Sequence, residues 1–140
     1  MKKIKGYSAA LPLRRDDEHG YTLLETHADI IAQNLKNLVL TQPGERIMIP
    51  DFGVGIKKYI FEQNDQTVFS EIASEIRLQV GRFMPFVDIL EVRLANSEMI
   101  WSDSGQHEKR ETGKGLNEVS LGIIYSVPAL REEFLLQVQI

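Results

Sequence analysis

Residues 66–95 read QTVFSEIASEIRLQVGRFMPFVDILEVRLA, and the period of their apolar residues changes once, at Met84-Pro85-Phe86. Before that point Val68, Phe69, Ile72, Ile76, Val80 and Phe83 recur at steps of three and four, with Glu71, Glu75 and Arg77 off the stripe. That spacing predicts one amphipathic helix. Pro85 ends it, because the residue before a proline is pushed out of the α region. After it Leu90, Val92 and Leu94 alternate with Glu91, Arg93 and Ala95, a half-buried strand that the pattern carries on toward Trp101.

Downstream the strand period persists. Residues 102–115 are polar and contain glycine, and read as a long hairpin loop. Val119, Leu121, Ile123 and Tyr125 alternate next; Val127-Pro128-Ala129 breaks the run, and Phe134, Leu136, Val138 and Ile140 form a third. Upstream, residues 25–40 carry a first helix, on which Leu24, His27, Ile31, Leu35 and Leu38 share a face against Asp29, Gln33, Asn34 and Lys36. Thr26 with Asp29 is an acidic variant of the capping box, and Asp65 is placed to cap the second helix. His27 on that stripe reads as a partly buried, hydrogen-bonded histidine. Helices first and strands after predict an α+β fold: two main helices packed on a small, mainly antiparallel three-stranded sheet, with an extended N-terminal arm. One domain spanning 1–140 is expected, made of an arm (1–18), a helical part (25–86) and a sheet part (87–140).

The two helices are joined by residues 41–62, TQPGERIMIPDFGVGIKKYIFE, which specify far more backbone than a linker needs. Pro43 presets the first central position of a tight turn and Gly44 suits the positive φ that follows in type II. Gly53 and Gly55 allow the chain to turn into a short helix over 56–61, with Phe52 as an anchor into the core or into a partner. The loop serves equally as an internal clasp or as a docking surface.

Several function classes find little support in the composition. The 140 residues carry no cysteine, which removes disulfides, thiol nucleophiles and thiolate metal sites, and suits a reducing cytosol. A formal charge of −4 and aromatic residues confined to apolar stripes argue against nucleic acid. No apolar run approaches the roughly 18 residues of a membrane helix, and the apolar stretch of MKKIKGYSAALPL is too short for a signal sequence. His19, His27 and His107 are far apart, so no metal or cofactor is expected. Gly53-Val54-Gly55 lacks the third glycine of a dinucleotide fingerprint, and Lys57-Lys58 reads as a solvated helix face. Glu45, Asp51 and Glu62 are the only acids of the loop, and no catalytic pattern connects them. The chain reads as an interaction protein and not as an enzyme.

The order Thr41-x-Pro43-Gly44-Glu45-Arg46, Pro50-Asp51-Phe52-Gly53-x-Gly55-Ile56, Phe61-Glu62 resembles the baseplate-wedge, or sheath-initiator, family of contractile phage tails. That family has relatives in type VI secretion and contractile-injection machines. The resemblance covers about residues 11–94 and implies a structural protein of the virion or injection-machine baseplate, assembled in the bacterial cytoplasm in six copies around the tail. Implied partners are the inner baseplate wedge proteins and the tail sheath protein, whose first ring would form on the C-terminal sheet by strand exchange. No nucleic acid or membrane is implied, and the N-terminal arm would lie along neighbours. Family members have at times been labelled lysozyme-like, so a tail-associated glycosidase acting on peptidoglycan is the alternative. Many members carry Glu-Pro-Arg just after the second helix as a docking site; this chain has Met84-Pro85-Phe86, exposed as a hydrophobic hot spot or buried as core. The implied partner-binding residues are Pro43, Gly44, Glu45, Arg46 and Phe52 in the loop, then Met84, Pro85 and Phe86, then Phe134, Leu136, Val138 and Ile140.

Overall fold

A computed structural model describes residues 6–17, 20–62, 66–95, 99–102, 108–109 and 119–139. The chain divides after Asn37 into two compact units. In the first, β1 (Ser8–Ala9) pairs with β4 (Leu23–Leu24), and β2 (Arg15–Asp16) nests inside against β3 (Gly20–Tyr21), all antiparallel. The segment expected as an extended arm is therefore folded back on itself. Bonds from Tyr7 N–H to Leu24 C=O, Ala10 N–H to Thr22 C=O and Thr22 N–H to Arg14 C=O hold the ribbon between its short strands.

The first helix, α1 (His27–Leu40), starts where the capping pattern places it. Thr26 Oγ1 accepts from the Asp29 N–H (3.1 Å) and donates to the Asp29 carboxylate (2.6 Å). Gln33, read from its pattern as a polar-face residue, is half-buried and works as a clamp. Its amide accepts from Leu11 N–H (2.7 Å) and donates to Ala9 C=O (3.1 Å), replacing a missing strand partner beside β1. His27 is exposed, contrary to the partly buried reading, because it opens the helix; its ring tilts against Tyr7 at 4.8 Å.

The second unit holds a 3-10 helix, η1 (Ile56–Phe61), the helix α2 (Gln66–Phe83) and an antiparallel sheet. The expected cap Asp65 lies outside the described residues. Helix α2 buries Phe69, Ile72, Ala73, Ile76 and Val80 and packs on β5 (Asp88–Ala95). The other strands are β6 (Met99–Ser102), β7 (Glu108–Lys109), β8 (Ser120–Val127) and β9 (Glu132–Gln139), in the spatial order β7-β6-β5-β8-β9. The α+β class holds. Its three long strands are the expected three, and two short ones extend the sheet.

Those two arise because the first strand does not run on to Trp101. It ends at Ala95 and the chain returns, pairing Ala95 with Ile100 and Leu94 with Trp101. Within β5 a bulge intervenes: Ile89 faces Tyr125 and Glu91 faces Ile124, leaving Leu90 unpaired. An extra residue shifts the inward–outward alternation by one position across the bulge. Leu90, expected inward with Val92 and Leu94, is 47% exposed, while both of the others are buried. On β8 the alternation is complete, with Leu121, Ile123, Tyr125 and Val127 all buried.

Candidate functional site

Residues 41–55 leave α1 and return to its end. The C=O groups of a helix's last turn lack intrahelical partners. Here Leu38 C=O accepts from Val54 N–H (3.0 Å), and Thr41 C=O, just past the helix, from Gly55 N–H (2.9 Å). The loop thus supplies donors that a further turn of helix would have supplied. Between these points it is braced twice. Glu45 N–H donates to Gln42 C=O (3.1 Å) with Gly44 at φ 92°, the type II turn that the Pro-Gly order requires. The Glu45 carboxylate returns the favour by accepting from Gln42 N–H (3.0 Å). Gly44 N–H then donates to Pro50 C=O (2.7 Å), closing the neck of a lobe at residues 45–49, and Phe52 N–H reaches Ile49 C=O (3.2 Å).

Gly53 passes against the backbone of Thr41. Its φ is 112°, and a Cβ there would collide with the Thr41 carbonyl oxygen and lie 2.8 Å from its carbonyl carbon. Opposite, Gln79 of α2 is 4% exposed, the one buried polar side chain among the described residues. Its Oε1 accepts from Gly53 N–H (3.1 Å), and its Nε2 donates to Asp51 C=O (3.1 Å) and Glu75 Oε1 (3.1 Å). Buried amide groups left unpaired are costly, so this amide fixes the distance between loop and helix. Sequence reasoning missed Gln79. The signal was there: it stands three residues after Ile76 and four before Phe83, on the apolar face.

The expected partner residues separate into three places. In the loop, Pro43, Gly44, Glu45 and Arg46 are exposed and Phe52 is half-buried. The Arg46 guanidinium lies over the Phe52 ring at 3.7 Å, and that ring meets Phe83 edge-on at 5.0 Å. After α2, Met84 N–H bonds to Val80 C=O (2.8 Å) and Val87 N–H to Met84 C=O (2.9 Å). Met84 and Val87 are thereby drawn inward, while Pro85 and Phe86 stand at the tip of the turn, Phe86 52% exposed. The segment is neither wholly core nor wholly surface. On β9, Val138 is buried and Phe134 and Leu136 are half-buried. Phe134 stacks on Tyr125 across the β8–β9 ladder at 5.5 Å. Ile140 lies outside the described residues. Among the described residues strand β9 pairs with β8 on one side only, and no other described strand lies along its second edge. No described residue after Glu133 on that strand is charged.

Two of the three loop acids have local partners, Glu45 in its own turn and Asp51 in an exposed ion pair with Arg82 (3.3 Å), while the third, Glu62, is exposed. Lys57 and Lys58 are exposed, and the Lys58 ammonium is held above its ordinary pKa, chiefly by its hydrogen bond with Tyr59. Among the described residues no group of metal-ligating side chains converges, and no helix is long and apolar enough to cross a membrane.

Comparison with known proteins bears on this arrangement. The family model for baseplate wedge protein gp25 matches residues 25–110, which include α1, the braced loop, α2 and β5. Among solved structures, a protein of Geobacter sulfurreducens provisionally named a tail lysozyme is similar, with a TM-score of 0.63 at 22% identity over 85% of this chain and 94% of that one. A chain in the cryo-EM structure of the anti-feeding prophage baseplate is similar with a TM-score of 0.62 at 24% identity, over 85% of this chain and 82% of that one. Among curated proteins there is no match.

Proposed function

The chain belongs to the baseplate wedge protein gp25 family and is a structural component of a contractile-tail baseplate, and from that premise we propose that it joins the wedge to the sheath and templates the first sheath ring by strand addition. The observation that carries this reading is the open edge of β9. It is an eight-residue strand, anchored to the core through Val138 and the Phe134–Tyr125 stack, with an uncharged stretch after Glu133. Undefended edges of this kind are normally blunted by charge, proline or a cover unless a partner strand is to be received. Strand addition takes its affinity from backbone hydrogen bonds and its register from alternate side chains.

In this reading the β9 edge, with Phe134, Leu136, Val138 and Ile140, meets the tail sheath protein. The 43–52 loop and the Met84-Pro85-Phe86 turn meet the inner wedge proteins. Six copies surround the tail, assembled in the bacterial cytoplasm, with no nucleic acid, membrane, cofactor or bond-making chemistry involved. Glu45 and Asp51 serve the turn and Arg82, which supports a structural role for these two acids.

Successive N–H groups of a strand point to opposite sides, so Gln137→Pro and Leu136→Pro each remove a donor from a different edge of β9. One of the two should lower the melting temperature by breaking the β8–β9 ladder. The other should leave the monomer stable yet stop sheath subunits polymerising on assembled baseplates. Normal sheath nucleation by both variants would refute the template.

A further inference from the structure

The lobe whose neck is closed by Gly44 and Pro50 carries Ile47, Met48 and Ile49 at its tip. Ile47 is 94% exposed and Met48 90%, while Ile49 is also on the surface. Neighbouring large apolar side chains are seldom left so open on a segment held this firmly. The Gln42–Glu45 turn, the Gly44–Pro50 bond and the Arg46–Phe52 stack each limit how far the lobe can fold back to hide them.

Arg46 at the base of the lobe supplies the second observation. The face of its guanidinium is taken by the Phe52 ring. Among the described residues its N–H groups have neither a hydrogen-bond acceptor nor an ion-pair partner. A guanidinium stacked in this way is pre-oriented and presents its in-plane donors, the fork that suits a carboxylate.

On the premise that the chain works within a multi-protein baseplate, we infer that Ile47-Met48-Ile49 is a preformed knob that seats in an apolar pocket of a neighbouring wedge protein, with a carboxylate at the pocket's rim receiving Arg46. A second copy of this chain is a poorer occupant. The tip offers on the order of a few hundred Å², against about 800 Å² per partner in a stable pair. Such a patch fits the centre of a larger heterologous interface, where a few buried anchors carry most of the energy. An anionic lipid surface is poorer still, because exposed Glu45 and Asp51 flank the lobe and the chain carries a net charge of −4.

The test uses the full-length protein and, as probe, purified wedge complex assembled without it. Wild-type chain should bind, and Ile47→Ser combined with Met48→Ser should weaken binding at least tenfold, as should Arg46→Glu. The melting temperature of the Ile47→Ser, Met48→Ser variant should stay within about 2 °C, since those side chains lie in water; Arg46→Glu also removes the stack on Phe52 and should melt somewhat lower. Replacing Met48 with photoreactive p-benzoylphenylalanine should give a cross-link to a wedge-protein segment in which apolar residues adjoin Asp or Glu. If wild-type chain binds and the knob variants bind within twofold of it, the knob is refuted while the baseplate role stands. Failure of wild-type chain to bind at all removes the wedge-linking reading, and the knob with it. Cross-links confined to a second copy, or Met48-dependent pelleting with phosphatidylglycerol vesicles, would overturn the inference in favour of those occupants.

Discussion

Replacing Gly53 with alanine tests whether the 41–55 loop is held as rigidly as its contacts indicate. At φ 112° an L-residue is strained, by about 1–3 kcal/mol. The new Cβ would also collide with the carbonyl oxygen of Thr41, which is backbone and accepts the Gly55 N–H at 2.9 Å. Relieving the collision means moving one strand of the loop away from the other. That weakens the Gly55–Thr41 bond and the neighbouring Val54–Leu38 bond, each worth about 1 kcal/mol net. Together the cost is about 3–5 kcal/mol, large against a total stability of roughly 5–15 kcal/mol. With an unfolding entropy of about 0.3 kcal/mol/K for a chain of this length, the melting temperature should fall by roughly 10–17 °C. Gly44→Ala is the matched comparison. Its φ is 92°, but nothing lies within 4 Å of a Cβ there, so strain alone should cost about 1–2 kcal/mol and roughly 3–7 °C. Scanning calorimetry on both variants decides the matter: equal shifts would refute the close packing of Gly53 on Thr41 as a stability determinant.

Gln79→Leu should cost about 1–3 kcal/mol by leaving the buried Gly53 N–H, and the Asp51 C=O, without their partner; urea denaturation measures the loss, and faster amide exchange at Gly53 should accompany it. Met84→Ala should destabilise by about 2–4 kcal/mol, whereas exposed Phe86→Ser should stay within about 1 kcal/mol; similar melts for the two would contradict the division of that turn into core and surface. Asp51→Asn removes only an exposed pair with Arg82 and should change stability by less than about 1 kcal/mol, in low or high salt alike. Purified protein should leave the turbidity of a peptidoglycan suspension unchanged; clearing that is lost in Glu45→Gln would establish a glycosidase instead.

Features that local chemistry dictates were legible in the sequence. The Thr26–Asp29 cap, the Pro43-Gly44 turn, the start of η1 at Ile56 and the alternation along β8 each depend on residues a few positions apart. Features set by distant partners were not. Nothing local marks Leu90 as the unpaired residue of a bulge, because the bulge is defined by its register with Tyr125 and Ile124 on another strand. The folding back of residues 6–24 was likewise hidden, since strands of two residues carry no measurable period. Among the expected partner residues, Arg46 and Phe52 could be picked out as loop residues, but not their stacking. Ile47 and Met48 resemble any short apolar run until their exposure is known. Met84 and Phe86 left two readings open, and one reverse turn assigns them to opposite sides.

The β8–β9 ladder also determines how the molecule would carry load. Eight consecutive register pairs join the strands, from Val127–Glu132 to Ser120–Gln139. Inter-strand bonds lie across the strand axis, so tension directed along β9 strains all of them together, whereas a pull at right angles to its free end peels them away in sequence. A sheath strand laid along the open edge would share that axis. Shortening of the sheath would then reach this protein as shear, the direction in which a ladder yields last, and the anchoring of the first ring would depend on strand alignment as much as on contact area.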